Sequence, residues 1–287
     1  MSAGEGSNGR WIGGEPSRGR PLAALRAAYS SCRSDLDLDA LRAALEDDPR
    51  SGARELLDRI ASRRDAVHRE RVRLSGLLAL RDELAARGVH GIAGVDEVGV
   101  GPLAGPVVAA AVVLPMQVEL VGLDDSKRVP PARRASLARE IRETALGIGL
   151  GEVGVEEIDQ MGIYRAALEA MRRAVASLAR VCPVGHLLVD ARTVPGFDGP
   201  QTAIIKGDSK DASIAAASIV AKVHRDAWME RLGERHPAYG FERHMGYGTA
   251  EHVAALERHG PCPVHRRSFA PVALAERRFA LRSGASA

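Results

Sequence analysis

The sequence predicts an α/β chain in which a mixed sheet is covered by helices. Three observations carry this. Short runs rich in β-branched residues recur after about residue 90, bounded by Gly and Pro. Amphipathic stretches of helical length alternate with them. Before residue 90 the chain is rich in Leu, Ala, Arg and acids and contains no strand pattern.

The elements follow in order. MSAGEGSNGRWIGGEPSRGR is rich in Gly, Ser and Arg and lacks the apolar core of a secretory signal, so residues 1–20 are expected to be a disordered tail. From 21 to 88 a helical extension is expected. Leu38, Leu41 and Leu45 fall at helical spacing before Asp47-Asp48-Pro49 interrupts; Leu56, Leu57 and Ile60 open a second stripe, and Leu77 to Leu84 a third. The run from Arg63 to Arg73 reads as a solvated helix face, with phosphate contact as the sharper alternative. Strands are expected at Ile92–Glu97, Val107–Leu114, Leu146–Val153, His186–Asp190 and Ala203–Lys206, with a turn through Gly99-Val100-Gly101-Pro102. Helices are expected at Glu156–Ala179 and Ser213–Leu232. The main domain is placed at 89–275, followed by a tail at 276–287.

Composition narrows the function. The 287 residues include 40 Lys and Arg against 37 Asp and Glu, which excludes a histone-like polycation. A balanced total still allows a basic face offset by acids elsewhere. Aromatics are 3%, too few for broad base-stacking platforms. Cys32, Cys182 and Cys262 are an odd, scattered set without a CxxC pair, which points to a reducing interior. The longest apolar stretch, around Pro106 to Pro115, is well short of the ~20 residues a membrane span needs. A cytoplasmic monomer without membrane contact is expected.

Acids at strand ends are the informative pattern. Asp96-Glu97 closes the first strand, Asp190 ends HLLVD, and Asp208 follows AIIK. One such Asp is ordinarily a cap or a turn former. Two adjacent acids in an otherwise apolar strand are costly without a ligand. Carboxylates gathered at one sheet edge repel each other and raise each other's pKa values, and divalent cations relieve this. Oxygen ligands select Mg²⁺ or Mn²⁺ over Zn²⁺. Two such ions suit phosphodiester cleavage.

Other motifs weigh less. Gly99-Val100-Gly101-Pro102-Leu103-Ala104 matches a dinucleotide-binding pattern, but Pro102 and Pro106 interrupt the helix it requires, and the acids before it would repel a pyrophosphate. HExxH and GxSxG are missing. Lys206, Lys210, Lys222 and Arg225 surround the last acid. Tyr247 lies between glycines in His244-Met245-Gly246-Tyr247-Gly248-Thr249, where it could stack on a sugar or base or simply half-bury in the loop. His265-Arg266-Arg267-Ser268-Phe269 is a compact basic run.

The motifs AGVDEVGVGPLAGPVVAAAVVL, LDDSK, VEEID, LLVDA, IIKGDSKDASIAAASIVAKVHRD, YGFERHMGYGTAEH and GPCPVHRRSF, in this order, resemble bacterial ribonuclease HII. The resemblance covers about residues 91–275; the leading helices more weakly resemble an N-terminal extension of some members. It implies a ribonuclease H-like fold with a C-terminal helical extension. It implies cleavage of RNA in RNA–DNA hybrids and incision 5′ of single ribonucleotides in duplex DNA, leaving 5′-phosphate and 3′-hydroxyl ends. It places catalysis and two divalent ions, Mg²⁺ or Mn²⁺, on Asp96, Glu97, Asp190 and Asp208. It implies that Gly99, Val100 and Gly101 read the ribose 2′-hydroxyl and that Tyr247 packs against a sugar. Lys206, Lys222, Arg225 and Arg266 complete the expected substrate contacts.

Two residues depart from the family pattern. Val100 stands where Arg or Lys is usual, and Met245 where Lys is usual. Each removes a cation near the nucleic acid, so weaker and less salt-sensitive binding is expected. The alternative is a hybrid-binding protein with little catalysis, which would have no need to keep all four acids. A junction resolvase would share the fold class but would not explain the glycine turn and the tyrosine loop together.

Overall fold

Helices make up the leading segment. The computed structural model describes Ser17 and residues 19–283, beginning with α1 (Leu22–Ser31), α2 (Asp35–Leu45) and α3 (Ser51–Ala86). The expected tail at 1–20 lies outside the described residues except for Ser17, Gly19 and Arg20. Ser34 caps α2: its hydroxyl accepts from the Asp37 N–H, and the Asp37 carboxylate accepts from the Ser34 N–H. The last two apolar stripes form one continuous helix of 36 residues, because no proline interrupts it and Gly76 is exposed.

Two compact units divide the chain, one ending at Arg73 and the other starting at Leu74. The first has its own core of Leu25, Leu38, Leu41, Leu45, Leu56 and Ile60. Its basic run is largely paired within the unit. Arg64 meets Asp39, Arg71 meets Asp35 at 3.2 Å, and Arg63 donates to the Cys32 carbonyl at 3.0 Å. The second unit starts inside α3, before the change of composition near residue 90, because Leu74 and Leu77 are buried beneath the sheet.

The sheet has β1 (Ile92–Val98), β2 (Val107–Val113), β3 (Gly147–Val153), β4 (His186–Asp190) and β5 (Gln201–Ile204), in the order β3-β2-β1-β4-β5. β1–β2 and β2–β3 are antiparallel; β1–β4 and β4–β5 are parallel. Every residue of β2 is buried, as expected for a continuous apolar strand covered on both faces.

One face carries α5 (Val155–Met161) and α6 (Ile163–Leu178), packed on Val95, Val107, Ala109 and Ala111. The other carries α4 (Pro131–Thr144) and α7 (Ala212–Arg235), packed on Val108, Ala110 and Val112. A Cβ on Gly94 would lie 2.0 Å from the Ser213 backbone, so glycine there lets α7 lie close on β1. The helical extension is α8 (Phe241–His244), α9 (Ala250–His259) and α10 (Ala270–Ser283).

Four details differ from the sequence expectation. The helix expected over Glu156–Ala179 breaks at Gly162, whose φ is 81°. The last strand is shifted to Gln201–Ile204, because Lys206 turns left-handed at φ 57°. α4 was not anticipated; its short apolar stripe, Leu137, Ala138 and Ile141, is diluted by charge. α10 occupies most of the expected tail at 276–287, of which 284–287 lie outside the described residues. Cys32, Cys182 and Cys262 are free thiols, and no described helix is long and apolar enough to cross a membrane.

Candidate active site

Strand pairing brings the acids together. The last paired rung between parallel β1 and β4 is Val95 with Val189, and Asp96 and Asp190 each follow it by one residue. Glu97 comes next on β1. Asp208 lies in a 3₁₀ turn, Gly207–Ser209, just beyond β5. Backbone donors pin two of these groups: the Glu97 N–H donates to Asp96 Oδ1 at 2.8 Å, and the Gly207 N–H to Asp190 Oδ1 at 2.7 Å.

The charges are crowded. Burial, then Glu97 and Asp190, push the Asp96 carboxyl well above the usual carboxylate range, against a hydrogen bond from Ser218. Ser218 also lies 2.9 Å from the Ser126 hydroxyl of the LDDSK loop. Burial raises Glu97; Arg192, 3.6 Å away, opposes this, and Asp190 adds to it. Burial, Asp125 and Asp190 raise Asp208, while Lys127 opposes them.

These residues fit a divalent cation. Glu97 Oε2 is buried with no hydrogen-bond partner. A buried carboxylate oxygen without a donor is costly, and a cation supplies the missing partner. Among the described residues, no three His, Cys, Asp or Glu side chains are arranged to hold a metal ion by themselves. Mg²⁺ is ordinarily held by one or two carboxylates, with waters and substrate phosphates completing its shell.

The glycine turn and the tyrosine loop face each other beside the acids. Gly99 has φ 90°, and a Cβ there would lie 2.2 Å from Arg225 Nε and 2.8 Å from the Pro106 carbonyl. A Cβ on exposed Gly101 would meet the Tyr247 ring at 3.6 Å. The Leu103 N–H donates to the Gly246 carbonyl at 2.8 Å, tying turn to loop. Tyr247 is 42% exposed. Val100 and Met245 are half-buried among apolar neighbours.

The structure corrects two expected substrate contacts. Arg225 and Arg266 are fully buried and cannot meet a phosphate from solvent. Arg225 donates to the carbonyls of Pro106, Met245 and Ala104 at 3.0–3.2 Å. Arg266 donates to Gly99, Val100 and Gly105 at 2.6–3.1 Å. Arg266 braces the glycine turn from behind, and Arg225 ties the segment after it to the tyrosine loop. Lys222 Nζ is held by Asp226 at 2.6 Å, which also draws Arg134. Lys206 is exposed and makes no ion pair among the described residues. Sequence reasoning missed Lys127, Arg192 and Asp125 as neighbours of the acids. The LDDSK motif carried a signal for Lys127 and Asp125. Arg192, two residues after Asp190, carried one only by proximity.

Comparison with known proteins shows the family. The family model described as Ribonuclease HII matches residues 93–272. The chain is 53% identical over 228 residues to ribonuclease HII of Geobacillus thermodenitrificans, covering 79% of this chain and 87% of that protein. It is 53% identical over 230 residues to ribonuclease HII of Myxococcus xanthus, covering 80% and 78%. Among solved structures, ribonuclease H2 of Pyrococcus horikoshii is similar at TM-score 0.56 and 26% identity, covering 66% of this chain and 98% of that one. The RNase HII of Archaeoglobus fulgidus, solved in complex with PCNA, is similar at TM-score 0.53 and 28% identity, covering 61% and 92%.

Proposed function

The chain belongs to the ribonuclease HII family of metal-dependent endonucleases, and on that premise we propose how its own residues act. It cleaves the RNA strand of RNA–DNA hybrids and incises duplex DNA on the 5′ side of single embedded ribonucleotides. The observation that carries this is one sheet edge bearing Asp96, Glu97, Asp190 and Asp208, with the Gly99–Gly101 turn and Tyr247 beside it.

Asp96, Glu97, Asp190 and Asp208 would hold two divalent cations, Mg²⁺ or Mn²⁺. When bound, such ions supply an activated water for in-line attack and stabilise the departing 3′-oxygen. Ser218 and the Glu97 N–H fix the Asp96 carboxylate, and the Gly207 N–H fixes Asp190, so these ligands are oriented before substrate arrives. The backbone of Gly99–Gly101 reads the 2′-hydroxyl, the group that separates RNA from DNA. This reading survives the loss of a cation at Val100, because it needs the turn and not that side chain. Tyr247 packs against the sugar next to the cut. Exposed Lys127, near Glu97 and Asp208, offers a positive group to the phosphate.

Product analysis tests the chemistry. With a uniform RNA–DNA hybrid and Mg²⁺ or Mn²⁺, 5′-phosphate and 3′-hydroxyl ends are expected, and an Asp96→Asn variant should produce none. Cyclic or 3′-phosphate ends, or unchanged cutting by the variant, would overturn the mechanism. Hybrid binding without cutting by the wild type would instead mark a binding protein.

A further inference from the structure

Behind the tyrosine loop lies a buried chain of polar groups that the proposed chemistry does not use. His252, on the first turn of α9, and His265 are 0% and 1% exposed. Their Nε2 atoms are 3.0 Å apart. His252 Nδ1 lies 2.9 Å from the Tyr247 carbonyl. His265 Nδ1 lies 3.0 Å from the Cys262 backbone N–H and 3.1 Å from Cys262 Sγ.

These contacts fix both tautomers. A carbonyl only accepts, so His252 Nδ1 carries a proton and donates to Tyr247. In a neutral ring its Nε2 then accepts, so His265 Nε2 carries the proton between the rings. His265 Nδ1 is left as an acceptor for the Cys262 N–H at 3.0 Å, a closer neighbour than the Cys262 carbonyl at 3.3 Å. The Cys262 carbonyl already accepts from the His265 backbone N–H at 3.1 Å. The chain reads Cys262 N–H to His265 to His252 to the Tyr247 carbonyl, each link with one donor and one acceptor.

We propose that His265 and His252 form a neutral hydrogen-bond relay that positions Tyr247 against the substrate. This rests on the reading of Tyr247 given above. Arg225 and Leu103 hold the Met245 and Gly246 carbonyls, but Tyr247 itself has only two further backbone bonds: its N–H donates to the His244 carbonyl at 2.9 Å, and its carbonyl also accepts from the Thr249 N–H at 2.8 Å. The neighbouring residues require special backbone geometry, with Met245 at φ 51° and Gly246 at φ 81°.

The relay works only uncharged. A proton added to His252 Nε2 would face the Nε2–H of His265, and one added to His265 Nδ1 would face the Cys262 N–H at 3.0 Å, with the Cys262 carbonyl farther away at 3.3 Å. The surroundings keep protons out. Burial, followed by His252, holds His265 down to about 3, and burial lowers His252. The groups facing the pair are His244, stacked on His252 at 4.5 Å, Glu251, His236, Arg267, Cys262 and the Tyr239 ring, 4.9 Å from His265. His252 and His265 are positioning residues, acting through the backbone of Tyr247.

Two isosteric changes separate positioning from bulk packing. The amide of Asn overlies Nδ1 and keeps the donor to Tyr247; the amide of Gln overlies Nε2 and loses it. On a duplex with one ribonucleotide, His252→Asn, which keeps the donor to Tyr247 but leaves the His265 Nε2–H without its acceptor, should lower kcat/KM by only about threefold. His252→Gln should lower it by about tenfold, the scale of one lost hydrogen bond. In a Tyr247→Ala background, His252→Gln should cost less than about twofold, because the group it positions is gone. Nitrogen-15 spectra of the histidine rings should show His252 protonated at Nδ1 and His265 at Nε2. Equal losses in the Asn and Gln variants, an undiminished Gln effect in the Tyr247→Ala background, or the opposite tautomers would overturn the relay. If Tyr247→Ala cleaves like the wild type, the reading of Tyr247 fails and the relay with it.

Discussion

Arg266 Nη2 donates to the Gly99 carbonyl at 2.6 Å, joining residues 167 positions apart. The same guanidinium reaches Val100 and Gly105. A planar fork can satisfy several carbonyls at once, and an ammonium cannot. The turn proposed to read the 2′-hydroxyl therefore takes its shape from the C-terminal segment. Arg266→Lys should cost at least about 2 kcal/mol, since charge-assisted hydrogen bonds in a buried place are lost. It should also narrow the difference in cleavage rate between a ribonucleotide site and its 2′-O-methyl analogue. Thermal melts and paired rate measurements check both effects.

The acid edge is strained without a cation. Asp96 is buried beside Glu97 and Asp190, so neutralising it removes a repulsion. In the absence of divalent ions, Asp96→Asn should melt roughly 2–4 °C higher than the wild type, about 1 kcal/mol for a chain of this size. Added Mg²⁺ or Mn²⁺ should stabilise the wild type and leave the variant nearly unchanged. An apo variant that melts lower would show that Asp96 is a structural acceptor and not a strained ligand.

The resemblance implies a cation at position 100, where this chain has Val100. Restoring one with Val100→Arg should add about one phosphate contact. The slope of log binding constant against log salt should then steepen by about 0.9. Binding measured at several salt concentrations reads this directly, and an unchanged slope would mean that position 100 does not face the backbone.

Acid should destabilise the fold through His265. Its unfolded pKa is near 6.5, and the folded value is depressed to about 3. The folded state therefore binds fewer protons below pH 6.5, and stability is lost as pH falls through that window. At pH 5 the loss from this group is about 2 kcal/mol. Asp211, the N-cap of α7, is pushed up to about 6 by burial and acts in the opposite sense below that pH. The diagnostic is thus a difference: the drop in melting temperature between pH 7 and 5 should be smaller in His265→Gln than in the wild type.

The sheet was legible in the sequence because its strands are short, apolar and bounded by Gly, Pro or acids. β1, β2 and β4 lie within a residue of their expected limits. The gathering of the four acids was legible for the same reason, since each follows an apolar run. The roles of Arg225 and Arg266 were not. A basic run looks the same whether it faces solvent or is folded against carbonyls more than 100 residues away, as both of these are. The His252–His265 relay was invisible too, because it depends on ring nitrogens brought together by α9 and the segment after it. The break at Gly162 shows the limit of periodicity: the apolar stripe continues across a glycine whose φ ends the helix.

The most direct test is cleavage of a DNA duplex carrying one ribonucleotide, with products mapped to the nucleotide. The account expects a single cut on the 5′ side of the ribonucleotide, dependent on Mg²⁺ or Mn²⁺ and abolished in Asp96→Asn. No cut should occur in the same duplex made entirely of DNA. Cutting that ignores the 2′-hydroxyl, or binding of this duplex without any cut in either metal, would contradict it.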